Sequence, residues 1–491
     1  MSPPGRVVIP SLVAGALVAL SVPPSGLWPM AIPGIALLAW LIDQSGRGRT
    51  RALAGLAFGV GLFGPTLFWI NEFHAVGYVL LVFLEASFFA AAAALTRRAL
   101  ALPAACVLAE WARGAVPFGG LPMGGLPLGQ AGGPLAPSAR IGGAYLLAGL
   151  VVALGVAAYL ASRRRWTPAA VVAGGVVVAG LLGAVAPDGT RTGELDVALV
   201  QGGGQRGFRA VDTDPQDVFD AHLAASQGLV GPLDLVVWPE NAIDVPAIDG
   251  SDEADALASI ARRLQATVVA GVTQDAGADN FENLAVAWSP EGRMVDRYVK
   301  VHRVPFGEYV PLRGLLERVV DLHVLPRDAL GGDGRGVLRT PAGDFGVAIS
   351  YEVFFGDRAR VAADAGGRLL LVPTNTASFT TTQVPTQEIA AARLRAWETG
   401  RWVLMSAPTG YGAIIDHEGR VLDRTTLSRR QLLVGRAELR SGRTIYTAAG
   451  DAPVVALAAL ALAIGWRRSR GPAARTGGRV EGPLEEPPPG T

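Results

Sequence analysis

The sequence predicts an α/β domain inserted between the seventh and eighth helices of an eight-helix transmembrane bundle. The chain has 491 residues, of which 50% are hydrophobic and only 17% charged, whereas soluble proteins are about a quarter charged. Several apolar stretches are long enough to cross a bilayer. Between residues 188 and 450 the composition changes to short Val/Ile/Leu-rich runs that alternate with helical patterns, which is typical of an α/β layered domain.

Eight apolar stretches predict the membrane spans. They cover residues 7–25, 27–42, 53–71, 77–96, 99–116, 144–162, 168–186 and 452–466. The first is not expected to be a signal peptide, because no small-residue cleavage site follows it and further spans do. We therefore expect a seven-span domain over residues 1–187 and an eighth span over residues 451–467.

The distribution of arginine predicts the orientation in the cell membrane. Arg6 precedes the first span, and arginines follow the second, fourth, sixth and eighth spans, whereas the short loops after the first and third spans have none. By the positive-inside rule both termini then lie in the cytoplasm and the inserted domain lies outside. Residues 468–491, rich in Pro, Gly and charge, are predicted to form a disordered cytoplasmic tail.

The inserted domain, residues 188–450, is predicted from its β-type runs and helical patterns. Strands are expected at 195–201, 233–240, 266–272, 282–288, 344–350, 368–374, 402–408 and 412–416, with helices at 214–229, 252–265 and 386–399. The runs are continuously apolar, as in strands covered on both faces. Such folds place their chemistry at strand ends.

Charge and cysteine content exclude several classes of function. The formal net charge of +1 gives no basic surface for nucleic acid. The single cysteine, Cys106, excludes an internal disulfide and a cysteine-based zinc site. Five histidines without metal-ligand spacing give no metal signature.

Three predicted strand ends carry polar residues. Glu240 ends the first, Lys300 and Glu308 follow the second, and Ser350 ends the third. Lys300 is the only lysine in the chain, whose other cations are all arginine. A carboxylate base, an ammonium that stabilises an oxyanion and a hydroxyl nucleophile form a set suited to acyl transfer.

The motifs around these residues resemble those of the apolipoprotein N-acyltransferases, membrane-embedded members of the nitrilase superfamily. The resemblance covers nearly the whole chain and includes WPE (238–240), YVKVHRVPFGEYVP (298–311), SYEVFFGD (350–357) and RLRAWETGRWVLMSAPTGYGAIID (393–416). EWARG (110–114) and FGGLPMGGLPLGQ (118–130) are similar to that family's fifth span and following loop.

The resemblance implies a fold and a reaction. The inserted domain is expected to be a nitrilase-like αββα sandwich. The expected reaction transfers a fatty acyl chain from a phospholipid to the α-amine of a diacylglyceryl-cysteine lipoprotein. No cofactor is implied, since transfer through a covalent intermediate needs none, and a monomer is expected.

The resemblance also implies roles for individual residues. Glu240 matches the general base, Lys300 the catalytic lysine and Glu308 a supporting glutamate. Tyr351 and Glu352 match the pair that follows the nucleophile, and the Tyr351 N–H is a candidate oxyanion donor. The expected substrate contacts in these motifs are Trp238, Phe306 and Tyr309.

This chain departs from the family pattern at the nucleophile, because Ser350 stands where the family has Cys. Met123 replaces a usual Trp, and residues 375–379 (NTASF) replace an Asn-Asp-Ala-Trp-Phe-like loop. A hydroxyl needs fuller activation by its base than a thiol. Three interpretations follow: a serine-dependent acyltransferase, a weak or inactive homologue that binds lipid or lipoprotein, and a Cys-to-Ser trapped variant or another acyl chemistry such as amide hydrolysis.

Overall fold

The computed structural model describes residues 5–207, 213–318 and 326–468. Its helices are α1 (Gly5–Ala19), α2 (Ala31–Gln44), α3 (Gly48–Thr66), α4 (Ala75–Leu95), α5 (Leu102–Arg113), α6 (Ala139–Ser162), α7 (Trp166–Val185), α8 (Pro215–Ser226), α9 (Asp252–Leu264), α10 (Arg313–Leu316), α11 (Gly356–Asp364), α12 (Gln383–Thr399), α13 (Ile445–Ala449) and α14 (Ala452–Arg468). The predicted tail beyond residue 468 lies outside the described residues.

Helices occupy all eight predicted span positions, as α1 to α7 and α14. Among the described residues, three helices are both long and apolar enough to cross a membrane: Ala75–Leu95, Ala136–Ser162 and Trp166–Val185. The count of eight spans is therefore only partly supported. At 14 and 12 residues, α2 and α5 fall short of the roughly 20 residues that a straight span needs.

Three helices of the bundle, α4, α7 and α14, have apolar outer surfaces. Large exposed side chains include Val76, Leu80 and Phe83 on α4, Val171, Leu181 and Val185 on α7, and Leu457, Leu460 and Ile464 on α14. Inside the bundle, small residues bring helices together: a Cβ on Gly55 of α3 would lie 2.2 Å from the Phe89 carbonyl oxygen of α4. Close backbone approach at small residues is how helices pack in lipid. The apolar outer faces fit a hydrocarbon environment.

Residues 190–441 form two stacked β-sheets. The strands are β1 (Thr190–Gln201), β2 (Leu235–Val237), β3 (Ile243–Val245), β4 (Thr267–Asp275), β5 (Asn280–Trp288), β6 (Met294–Val299), β7 (Asp328–Ala329), β8 (Val337–Thr340), β9 (Gly343–Val347), β10 (Leu369–Pro373), β11 (Val403–Ser406), β12 (Ala413–Ile415), β13 (Val421–Arg424) and β14 (Gln431–Ser441). One sheet runs β14-β1-β2-β4-β5-β6, with β3 and β7 attached, and the other runs β13-β12-β11-β10-β9-β8.

Alternate residues of the strands form two different cores. Val197 and Leu199 of β1 face Phe345 and Val347 of β9 in the core between the sheets. Their neighbour Val200 points outward and joins the core with α8 and α9. On the other sheet, residues of β10 and β11 pack with α11 and α12. The layers are helix, sheet, sheet, helix, so the predicted nitrilase-like αββα sandwich is confirmed.

The sandwich brings four strand ends to one region. Parallel pairing of β1, β2 and β4, and of β9, β10 and β11, makes the carboxyl ends of these strands meet at common edges. Glu240 lies three residues after β2, Lys300 directly after β6, Ser350 three residues after β9 and Thr374 directly after β10.

Candidate active site

Lys300 lies at the centre of a buried charged cluster. Its Nζ atom is 2.8 Å from Glu240 Oε1 and 2.7 Å from Glu308 Oε1. The lysine side chain is only 2% exposed. A charge buried this far is tolerated when it is paired and hydrogen-bonded, and here two carboxylates bind one ammonium. The structure therefore brings together the three charged residues that the sequence singled out.

Asn283 completes this cluster. It lies on β5 and is buried, and its Nδ2 donates to Glu240 Oε1 at 2.8 Å and to Glu308 Oε1 at 3.0 Å. The other oxygen of Glu308 accepts the Val304 N–H at 2.7 Å. Both oxygens of Glu308 are therefore bound, one by the Val304 N–H and the other by Lys300 and Asn283. In Glu240 only Oε1 is bound, and Oε2 has no hydrogen bond in the described part of the chain.

Burial and ion pairing shift the pKa values of Glu240 and Lys300 in opposite directions. Burial raises the pKa of Glu240 above its usual value, although the Lys300 ammonium opposes the rise. Burial by itself would lower the pKa of Lys300, but Glu240 and Glu308 outweigh it and hold that pKa above the usual lysine value. The lysine consequently stays protonated, while Glu240 is a stronger base than a solvated glutamate.

Ser350 occupies a strained turn at the start of a short helical segment, residues 350–354. Its φ angle is +49°, in the left-handed region that non-glycine residues rarely adopt, and such strain is often found at functional sites. The side chain is largely buried. Its Oγ has one hydrogen-bond partner among the described residues, the Thr374 hydroxyl, at 3.3 Å. The following Tyr351 N–H has no backbone partner there, as expected for the first turn of a helix.

Glu352 ties the serine turn to the lysine segment. Its Oε1 accepts the N–H groups of Val301 and His302 at 2.8 and 3.0 Å, and its Oε2 accepts the Ile349 N–H at 2.8 Å. The Tyr298 hydroxyl also donates to this fully buried carboxylate, at 2.8 Å. One side chain therefore fixes the residues next to Lys300 and next to Ser350 relative to each other.

The three expected substrate contacts lie in different surroundings. Phe306 is 60% exposed and its ring meets Phe118 at 6.3 Å. The Tyr309 hydroxyl donates to the Phe118 carbonyl at 3.3 Å. Trp238, in contrast, is fully buried and its indole donates to Ser226 Oγ in the core with α8. Trp238 therefore supports the fold, and only Phe306 and Tyr309 face the loop after α5.

The same loop contacts the residue after the nucleophile. The Tyr351 hydroxyl donates to the Gly120 carbonyl at 2.7 Å. The helical bundle is therefore in direct contact with the serine turn.

The two further departures from the family pattern also lie near the bundle. Met123 is buried, and its carbonyl accepts a hydrogen bond from Arg113. Phe379, the last residue of the 375–379 loop, packs against Trp69 with ring centroids 5.0 Å apart. Phe379 thus belongs to a contact between the sandwich and the helices, whereas Met123 is bound within the helical part.

Sequence reasoning missed four polar residues of the site: Asn283, Tyr298, Thr374 and Glu388. Each is buried, and buried polar groups need partners. Only Thr374 stands directly after a wholly apolar run, LLLVP (369–373), whereas other polar residues lie beside Asn283, Tyr298 and Glu388, so a sequence signal was present at Thr374 alone. In the described ranges, no group of three or more His, Cys, Asp or Glu side chains could hold a metal ion.

Comparison with known proteins agrees with this architecture. The model of the apolipoprotein N-acyltransferase N-terminal domain matches residues 14–157, and that of the carbon-nitrogen hydrolases matches residues 196–445. The chain is 30% identical to the apolipoprotein N-acyltransferase of Photobacterium profundum, over 92% of each chain. It is 29% identical to that of Vibrio vulnificus, over 94% of this chain and 97% of the relative.

Two solved structures are each similar to about half of this chain. An amidase from Nesterenkonia sp. is 20% identical, with a TM-score of 0.38 over 55% of this chain and 97% of its own. Saccharomyces cerevisiae Nit3, a nitrilase-superfamily member, is 19% identical, with a TM-score of 0.37 over 54% and 96%. Because the matches to relatives span both the helical part and the sandwich, the chain belongs to the apolipoprotein N-acyltransferase family, within the carbon-nitrogen hydrolases.

Proposed function

We propose that this protein transfers a fatty acyl chain from a phospholipid to the N-terminal α-amine of diacylglyceryl-cysteine lipoproteins, through an acyl-enzyme intermediate on Ser350. The observation that carries the proposal is the Glu352 link, which ties the strained serine turn to the segment that carries the buried Lys300–Glu240 pair. Membership of a family named for this reaction supports it.

The first half-reaction forms the acyl-enzyme. Ser350 Oγ attacks the carbonyl carbon of a phospholipid ester, and its proton passes to Glu240. Lys300 and the Tyr351 N–H stabilise the oxyanion that develops. The ester C–O bond then breaks, Glu240 returns the proton to the leaving alkoxide, and a lysophospholipid departs.

The second half-reaction transfers the acyl group. The neutral α-amine of the lipoprotein attacks the Ser350 ester, an amide bond forms, and the Oγ–acyl bond breaks. Glu240 takes the amine proton and gives it to Ser350 Oγ, which restores the enzyme. Glu308 and Glu352 hold Lys300 and the serine turn in place throughout.

The helical bundle gives lipids access to this site. The exposed Phe306 and the Tyr309 side chain lie against the loop after α5, where a lipid leaving the bilayer would meet the sandwich.

We infer eight spans, with residues 1–187 and 451–467 in the membrane, both termini in the cytoplasm and residues 188–450 outside. The proposed enzyme acts as a monomer.

The test is a transfer assay with the purified full-length protein. It is incubated with a phospholipid that carries a labelled acyl chain and with a diacylglyceryl-cysteine lipopeptide. We expect labelled N-acyl lipopeptide from the natural chain and none from Glu240→Gln. Exposed Glu291 supplies the matched control, since Glu291→Gln should retain full transfer.

Two results would overturn this function. Release of labelled fatty acid without lipopeptide modification would identify a hydrolase. Binding of the lipopeptide that is equal in the natural chain and in Glu240→Gln, without any transfer, would identify a non-catalytic homologue.

A further inference from the structure

A further buried carboxyl group, that of Glu388, is linked to Ser350 through the Thr374 hydroxyl. Glu388 lies on α12 and is 3% exposed. Its Oε1 is 2.5 Å from Thr374 Oγ1, and Thr374 Oγ1 is 3.3 Å from Ser350 Oγ. The three side chains thus form a continuous chain of hydrogen bonds, called here the Ser350–Thr374–Glu388 chain. The reaction described above does not use Thr374 or Glu388.

A hydroxyl group has one hydrogen, so Thr374 cannot donate to both neighbours at once. If Glu388 is ionised, it can only accept, and the Thr374 hydrogen must point to it. Ser350 then donates its own hydrogen to Thr374. If Glu388 is protonated, it can donate to Thr374, which donates to Ser350 and leaves the serine hydrogen free for another acceptor.

We propose that Thr374 and Glu388 are positioning residues for Ser350, and that a protonated Glu388 directs the hydrogen bonds so that the Ser350 proton faces Glu240. This inference rests on the proposed function, because it assumes Ser350 as the nucleophile. No bond beyond those already described forms or breaks, and Glu388 keeps its proton during the reaction.

The surroundings of Glu388 favour the protonated form. The charged groups that act on it are Glu240, after β2, and Lys300, after β6. Glu352, on the element that carries Ser350, is bound to Tyr298 and to backbone amides. Burial raises the pKa of Glu388 to about 8, against the effects of the Thr374 hydrogen bond and Lys300. The carboxyl group therefore remains mainly protonated at neutral pH.

Substitutions along the chain give distinct expectations for the acylation of Ser350 by phospholipid. Thr374→Val removes the hydroxyl with little change in shape, and loss of one hydrogen bond to the nucleophile should slow acylation by about ten-fold. Glu388→Leu should slow it similarly. Glu388→Gln should keep the rate within about two-fold at pH 7, because its amide donates to Thr374 as the protonated acid does. Thr399→Val is the matched control, since that buried hydroxyl donates only to the Arg395 carbonyl.

The pH profile separates positioning from mere packing. The natural chain should lose acylation rate as the pH rises through about 8, whereas Glu388→Gln should lack this decline because its amide cannot ionise. An alkaline decline that persists in Glu388→Gln, or acylation of Thr374→Val at the natural rate, would overturn the proposal.

A second measurement does not depend on acyl transfer. In Ser350→Cys protein, alkylation of the new thiol by iodoacetamide reports its ionisation, and the natural chain is the blank because Cys106 is buried. Adding Thr374→Val should raise the apparent pKa of the thiol, since the thiolate loses a donor, while adding Thr399→Val should not. An unchanged apparent pKa would refute the Ser350–Thr374–Glu388 chain even if Ser350 proves unable to accept an acyl group.

Discussion

At the residue scale, Lys300 illustrates how its surroundings determine which cation a position carries. The chain has 43 lysine and arginine residues, of which 42 are arginine and one is Lys300. The structure gives a physical reason, because a compact ammonium fits between two carboxylates 2.7 and 2.8 Å away. A guanidinium is larger and planar and presents its donors as a fixed fork.

We therefore expect Lys300→Arg to abolish acylation of Ser350. The larger group cannot occupy the Glu240–Glu308 site without displacing one carboxylate, and loss of an oxyanion-stabilising donor costs about 100-fold or more in rate. The exposed Arg297 on β6, the strand that precedes Lys300, supplies the control, because Arg297→Lys should leave acylation unchanged. Equal rates for Lys300→Arg and the natural chain would refute the catalytic role of the ammonium.

The pKa of Glu240 predicts the acid limb of the pH profile. Because burial raises that pKa, the carboxylate takes up a proton at a higher pH than the ordinary glutamate value of about 4.3. A protonated Glu240 cannot accept the serine proton, so acylation should fall as the pH drops through the raised pKa. Stopped assays from pH 4 to 7 check this, and a constant rate down to the ordinary value would contradict it.

At the scale of elements, buried strands were predictable from the sequence and edge strands were not. All eight apolar runs became strands because their residues are buried on both faces. β14 was missed, since the sequence GRAELR within it is rich in charged residues, of which Arg436 faces solvent and Arg440 is buried. Its partner β1 stabilises it through eleven residues of antiparallel pairing, a long-range contact that local composition does not encode.

Helix α6 contains an irregularity that connects the bundle with the sandwich. Gly142 and Gly143 have non-helical backbone angles, and Gly143 has a φ of +65°. The next N–H, of Ala144, donates to Glu398 Oε1 on α12 at 2.8 Å. The break in the helix thus frees a backbone donor for the sandwich.

Gly143→Ala should destabilise the protein. A Cβ there would lie 2.4 Å from the Tyr446 ring, and the backbone angle is unfavourable for alanine. Together these cost roughly 2 kcal/mol or more. Gly174→Ala on α7 is the control, since its Cβ would meet nothing within 4 Å. Thermal unfolding in detergent should show a lower midpoint for Gly143→Ala only, and equal midpoints would contradict this reading of the kink.

At the scale of the whole molecule, the resemblance predicted the architecture, while the contacts between its two parts required the structure. The Tyr351–Gly120 hydrogen bond and the Phe118–Phe306 ring contact join segments far apart in sequence. No local pattern marks such pairs. The Ser350–Thr374–Glu388 chain also joins three separate elements, so its members could not be grouped from the sequence.

The proposed topology predicts which surfaces face the outside of the cell. Ser259 on α9 and Ser162 at the end of α6 are both exposed and suit substitution by cysteine, because the natural Cys106 is buried. In intact cells, a membrane-impermeant maleimide should label Ser259→Cys, but label Ser162→Cys only after permeabilisation. The reverse pattern would place the sandwich in the cytoplasm.

Whether Ser350 carries the acyl group can be measured by intact-protein mass spectrometry after incubation with phospholipid. We expect a mass increase of one acyl chain on the natural protein, located by proteolysis to the Ser350 peptide and absent from Ser350→Ala and Glu240→Ala. If only Ser350→Cys gains the acyl mass, the scaffold can catalyse the step but the natural serine does not, and acyl transfer through Ser350 is refuted.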